Sequence, residues 1–165
     1  LITAKSSPVF GGVYKLAAVE DQAGHIVPKI KISENPTKIT LPHFKKVYRL
    51  FDNATGKAIA DYICTCEEAP DFTQPLELFD PECTWKRSVV TDYTARPLLE
   101  PIFLNGQQVY ELPPIEEVRA HCAAELATLW PEVKRFDNPH NYYVDLSHGL
   151  WDLRARLLAE QGVRV

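Results

Sequence analysis

The dipeptide Pro113-Pro114 divides this 165-residue chain into two kinds of pattern. Proline interrupts both a β-ladder and a helix interior, so an element has to end there. Upstream, short apolar runs are separated by turn residues. Gly11-Gly12 opens Val13–Val19, Ala23-Gly24 marks a turn, and Ile26–Ser33 resumes. Lys29-Ile30-Lys31-Ile32-Ser33 alternates with period two, which predicts a half-buried strand. These runs form a first expected hairpin. Asn35-Pro36 and Leu41-Pro42 punctuate an ordered loop. Lys45–Phe51 and Ala58–Cys66 flank the turn cluster Asp52–Lys57 and predict a second hairpin. Glu67–Pro81 holds five acidic residues and three prolines, so it reads as a loop with one short strand at Leu76–Phe79. Trp85–Val90 is a further strand. Asn105-Gly106 between Leu98–Leu104 and Gln107–Leu112 is a strong hairpin signal.

Downstream of the pair, Ile115, Val118, Cys122, Leu126, Leu129 and Val133 recur at helical spacing. Glu116-Glu117 suit the first turn, Pro131 should kink or restart the helix, and Asp137-Asn138-Pro139 should stop it. A second helix begins near Ser147, capped by Asp145 or Ser147, carries a stripe of Leu146, Leu150, Leu153 or Arg154, and Leu157, and ends at Gly162. The expectation is an α+β fold, with antiparallel strands and hairpins in the first two-thirds and two amphipathic helices at the C-terminus.

Composition closes several other routes. With 45% hydrophobic and 24% charged residues the chain is neither disordered nor fibrous. A net charge of −4 argues against nucleic acid as a partner. No apolar stretch is long enough for a membrane helix, and Lys5-Ser6-Ser7-Pro8 interrupts any secretion signal. A reduced, cytoplasmic setting follows for Cys64, Cys66, Cys83 and Cys122, whose spacing does not suit a zinc site. There is no Met, which suggests a piece of something larger.

Catalytic patterns are missing. His25, His43, His121, His140 and His148 make no metal-binding pair, and no serine elbow or phosphate-loop spacing occurs. Glu67-Glu68 and Glu116-Glu117 read as solvated surface or helix caps. The distinctive feature is charge segregation. Lys29, Lys31, Lys38, Lys45, Lys46 and Arg49 face only Glu34 in the same stretch, a local net of +5 that leaves −9 for the remainder. One reading is contact with an anionic ligand such as phosphate. The other is a solvated strand face whose lysines guard an edge. The residues themselves weigh the two equally.

Several strings resemble nicotinate phosphoribosyltransferase. They are Leu1-Ile2-Thr3-Ala4, Gly11-Gly12-Val13-Tyr14-Lys15-Leu16, the run Lys29–Pro42, and Lys45-Lys46-Val47-Tyr48-Arg49-Leu50. Later come Leu112–Arg119, Leu129-Trp130 and Asn138–Ser147. Pro42-His43 departs from the Pro-Gly of many members. The resemblance implies the C-terminal region: residues 1–20 ending the phosphoribosyltransferase core, and 21–165 forming a C-terminal domain with strands over about 21–112 and helices over about 114–162. It implies a parent that joins nicotinate to phosphoribosyl pyrophosphate with ATP and Mg²⁺ in NAD salvage, and that assembles as a homodimer. It places no catalytic group, cofactor or metal on this chain, so the fragment alone should be inactive. The basic segment would then steer anionic ligands or face the partner subunit. The alternative is an independent, non-enzymatic β-rich module that binds an anionic partner.

Overall fold

A computed structural model describes residues 13–35, 38–81 and 83–163. The expectations for Leu1–Gly12 and for Pro36 therefore lie outside the described residues. Two compact units are present, one comprising residues 1–44 with 154–165 and the other residues 45–153. Among the described residues, no helix is long and apolar enough to cross a membrane.

In the first unit, β1 (Ala18–Glu20) and β2 (Ile26–Pro28) form a short antiparallel hairpin. Its turn is fastened by Asp21, whose carboxylate accepts the Ala23 and His25 amides at 2.8 and 2.9 Å. Gly24 supplies the required positive φ of 84°. The alternating stretch Lys29–Ser33 is not a strand. Pro28 occupies a paired position but has no N–H, and the ladder continues only through the Lys29 amide to the Ala17 carbonyl. Alternation without a neighbouring strand leaves Ile32 exposed and Ile30 half-buried.

The second unit is built on a four-stranded sheet. β3 (Lys45–Asp52) and β4 (Ala58–Thr65) pair antiparallel around the Asp52–Lys57 turn, with a bulge after Leu50. β5 (Leu76–Phe79) pairs with β6 (Arg87–Val90) in a separate ribbon. β7 (Tyr93–Pro97), which the sequence reading missed, adds to the free edge of β3. β8 (Phe103–Leu104) and β9 (Gln107–Gln108) form the Asn-Gly hairpin, with Asn105 and Gly106 at φ 50° and 76°, the signs a type I′ turn needs. α1 (Ile115–Thr128) and α2 (Pro131–Lys134) follow, separated where Pro131 restarts the helix. β10 (Tyr143–Leu146) joins β4 in parallel, a second strand not anticipated. The sheet order is β10-β4-β3-β7. α3 (His148–Glu160) closes the chain, and Gly162 turns it at φ 72°.

The two sheet faces differ sharply. On one, Leu50, Ala60, Tyr62 and Cys64 pack with Leu78 and Tyr93 into the core. Phe72 lies over it, its ring centroid 4.7 Å from Tyr48 and edge-on to Tyr62 and Tyr93. Burial of a side chain such as Leu50 contributes about 2 kcal/mol. The opposite face sets the charged Arg49, Asp61 and Arg96 among Val47, Phe51 and Ile63.

Candidate functional site

The charged part of that face is assembled by strand register. Arg49 lies opposite Asp61 on β4 and opposite Arg96 on β7. Two guanidiniums side by side repel, so the arrangement requires a carboxylate on each. Arg49 grips Asp61 through both oxygens, Nε to Oδ1 at 2.8 Å and Nη2 to Oδ2 at 3.0 Å. Its remaining Nη1 reaches Glu125 of α1 at 3.0 Å, and Arg96 Nη2 meets the same Glu125 oxygen at 2.6 Å. The Tyr142 hydroxyl donates to Asp61 at 3.0 Å, the Arg49 guanidinium lies 5.7 Å from the Tyr142 ring, and Arg96 stacks over Phe51 at 4.9 Å. Two cations and two anions neutralise one another in a mostly shielded site.

The protonation states follow from these contacts. The Asp61 hydrogen bonds hold the Arg49 guanidinium even more firmly protonated than usual, against the cost of burial. The Arg96 hydrogen bond holds the Glu125 carboxyl below its ordinary range. Burial, then the Asp61 charge, pushes the Tyr142 hydroxyl upward. None of these three changes charge near neutrality, so the cluster can fix positions but is unsuited to shuttling protons.

A second locus joins β4 to α3. The Glu68 carboxylate accepts the Thr65 amide at 2.7 Å and the Ser147 hydroxyl at 2.8 Å, while Ser147 Oγ accepts the Leu150 amide at 3.0 Å as the helix cap. A Cβ on Gly149 would stand 2.9 Å from Glu68 Oε1, so glycine is what lets the carboxylate reach the helix N-terminus. Glu68 is thus part of the framework, whereas its neighbour Glu67 is exposed as expected of solvated surface. Next to it, Asp145 is buried, and this burial, together with the nearby Asp80 charge, pushes its carboxyl up to about 6. His148 stacks on Phe79 at 4.8 Å and meets Glu77 at 3.0 Å.

The six basic residues singled out from sequence do not share one environment. Lys29, Lys31 and Lys38 are exposed and belong to the first unit. Lys45, Lys46 and Arg49 are half-buried on β3 in the second. Lys46 Nζ donates to the Glu68 carbonyl at 2.9 Å, burial lowers the Lys45 ammonium's affinity for its proton, and Arg49 is committed to Asp61 and Glu125. Asp61, Arg96, Glu125 and Tyr142 were not foreseen. They are scattered over some eighty positions, and only the pairing register brings them together.

Comparison with known proteins places this architecture. The model of the nicotinate phosphoribosyltransferase C-terminal domain matches residues 44–154. Nicotinate phosphoribosyltransferase of Bacillus subtilis is 38% identical over 165 residues, covering 100% of this chain and 34% of that protein. The human enzyme is 35% identical over 98% of this chain and 29% of its own length. The crystal structure of human nicotinic acid phosphoribosyltransferase superposes with a TM-score of 0.65 at 29% identity, over 73% of this chain and 24% of that one. The chain spans about a third of the length of the curated relatives it matches. It belongs to the nicotinate phosphoribosyltransferase C-terminal domain family.

Proposed function

We propose that this chain serves as the C-terminal domain of an enzyme that joins nicotinate to phosphoribosyl pyrophosphate, coupled to ATP hydrolysis, in NAD salvage. Residues 1–20 complete the catalytic core and 21–165 form the domain proper, in a cytoplasmic homodimer. The family match across 44–154 is the observation that carries this reading. In it, the domain holds shape and steers ligands, and the reacting groups come from the rest of the polypeptide. The self-neutralised Arg49–Asp61–Glu125–Arg96 cluster supports that division of labour, because its charges are spent on one another. Both Asp61 oxygens are taken by Arg49, so that carboxylate is not open to Mg²⁺, which binds through carboxylates and substrate phosphates. No step is assigned to Mg²⁺ or ATP on these residues.

Of the basic segment, Lys29, Lys31 and Lys38 fit the steering role, because they are exposed. Anionic substrates approach faster toward a positive surface, and salt screens the effect. Replacing all three by Gln in the complete enzyme should raise KM for phosphoribosyl pyrophosphate about threefold at low ionic strength and little in 0.5 M salt, with kcat unchanged. A KM that ignores both the substitutions and salt removes the steering role. An active parent with an unaltered homodimer would still retain the rest of the reading.

A further inference from the structure

α1 carries a narrow apolar strip and buries none of its residues. Ile115, Val118, Cys122 and Leu126 line one strip, with Ile115 at 62% exposure, Val118 at 45% and Leu126 at 51%. Its attachments in the second unit are polar and near its C-terminal end. Glu125 is held by Arg49 and Arg96, and Lys57 Nζ donates to the Ala127 carbonyl at 2.6 Å. Helix stability in water comes mostly from covering an apolar face, and among the described residues this face is left about half open. The charges bordering it are already paired, Glu125 with Arg49 and Arg96 and Arg119 with Glu116 at 3.0 Å.

We propose that the α1 strip is an interdomain docking surface, covered by an apolar patch on the preceding part of the same enzyme polypeptide. This rests on the reading that the chain is the C-terminal third of a longer enzyme. Relatives that align with the whole of this chain carry about twice its length again, which is the covering material at hand. The charge cluster then has a purpose: it aims the helix by its last turns and leaves the strip free for the neighbouring domain.

Cys122 reports on the strip directly, since its thiol lies within it and is exposed in this chain. The complete enzyme, with the other cysteines replaced by Ser or Ala, is titrated with a thiol reagent. Cys122 should react at least ~100-fold more slowly than in the urea-unfolded enzyme, because attack must await a local opening. The protection should be unchanged on dilution to monomer. Val118→Glu should raise the rate at least about tenfold, whereas Val89→Glu, at an exposed β6 position, should not. Reaction at the unfolded rate overturns the proposal, and protection that vanishes on dilution overturns it in favour of a second copy. Nicotinate turnover is assayed on the same sample. An active enzyme with a reactive Cys122 fails the docking surface alone, and an inactive one with a protected Cys122 fails the catalytic reading alone.

Discussion

The two C-terminal helices carry apolar stripes of unequal strength and meet opposite fates. Both were expected to be amphipathic. α3 places Leu150 and Leu158 at 0% exposure, whereas α1 buries nothing. The difference lies in how each is attached. α3 is capped by Ser147, backed by Glu68 and entered directly from β10, so its first turn is fixed against the sheet and Leu150 is carried inward. α1 follows a proline pair and a short hairpin and meets the sheet through one carboxylate. An apolar stripe therefore states that a helix face needs cover but leaves the source of that cover open.

The contrast makes graded predictions, read by thermal denaturation of this chain. Leu150→Ala removes a fully buried side chain from α3 and should cost about 3 kcal/mol. A loss below about 1 kcal/mol would erase the distinction between the helices. Asp61→Ala strands the half-buried Arg49 guanidinium and should cost about 2 kcal/mol, while Arg49→Met combined with Asp61→Leu should fall closer to the parent. An equal penalty for both would mean that the cluster contributes more than mutual neutralisation.

The two carboxyls give opposite pH signatures. Asp145 is raised by burial and by Asp80, so the folded chain binds more protons than the unfolded one between about pH 4 and 6, and stability falls as pH rises through that window. Asp145→Asn should flatten that slope and stabilise the chain at pH 7 by about 1 kcal/mol. Glu125 is lowered by Arg96 first, so its contribution is present above its unfolded value and is lost as pH falls through the folded one. Glu125→Gln should remove the corresponding loss on acidification. Ser147→Ala deletes the α3 cap and should cost about 1 kcal/mol. The smallest effect belongs to α1. Val118→Ala should change the stability of this chain by less than about 0.5 kcal/mol, and distinctly more in the complete enzyme, where the strip is covered.

Local patterns were readable where local forces decide. The β3–β4 hairpin, the Asn105-Gly106 turn, the restart at Pro131 and the stop at Gly162 follow from turn chemistry and period. β7 and β10 were not readable, because each is a strand only by virtue of a distant partner. β10 pairs with residues some eighty positions earlier and buries an aspartate, which breaks the expected alternation. The reverse holds at Lys29–Ser33, where good alternation meets no partner strand among the described residues. The candidate site was legible only in part. Charge segregation was visible in sequence, but it did not reveal that Arg49 and Lys46 are turned inward to Asp61, Glu125 and Glu68.

On the proposed reading, the Arg49–Asp61–Glu125–Arg96 cluster holds structure and does no chemistry. The most direct measurement is the steady-state kinetics of the complete enzyme carrying Arg49→Met and Asp61→Leu together, at a temperature where it remains folded. Nicotinate turnover should keep kcat and KM within about threefold of the parent, with a shifted melting temperature. A kcat lower by more than about 100-fold with unchanged melting would place these residues in the reaction itself and contradict that reading.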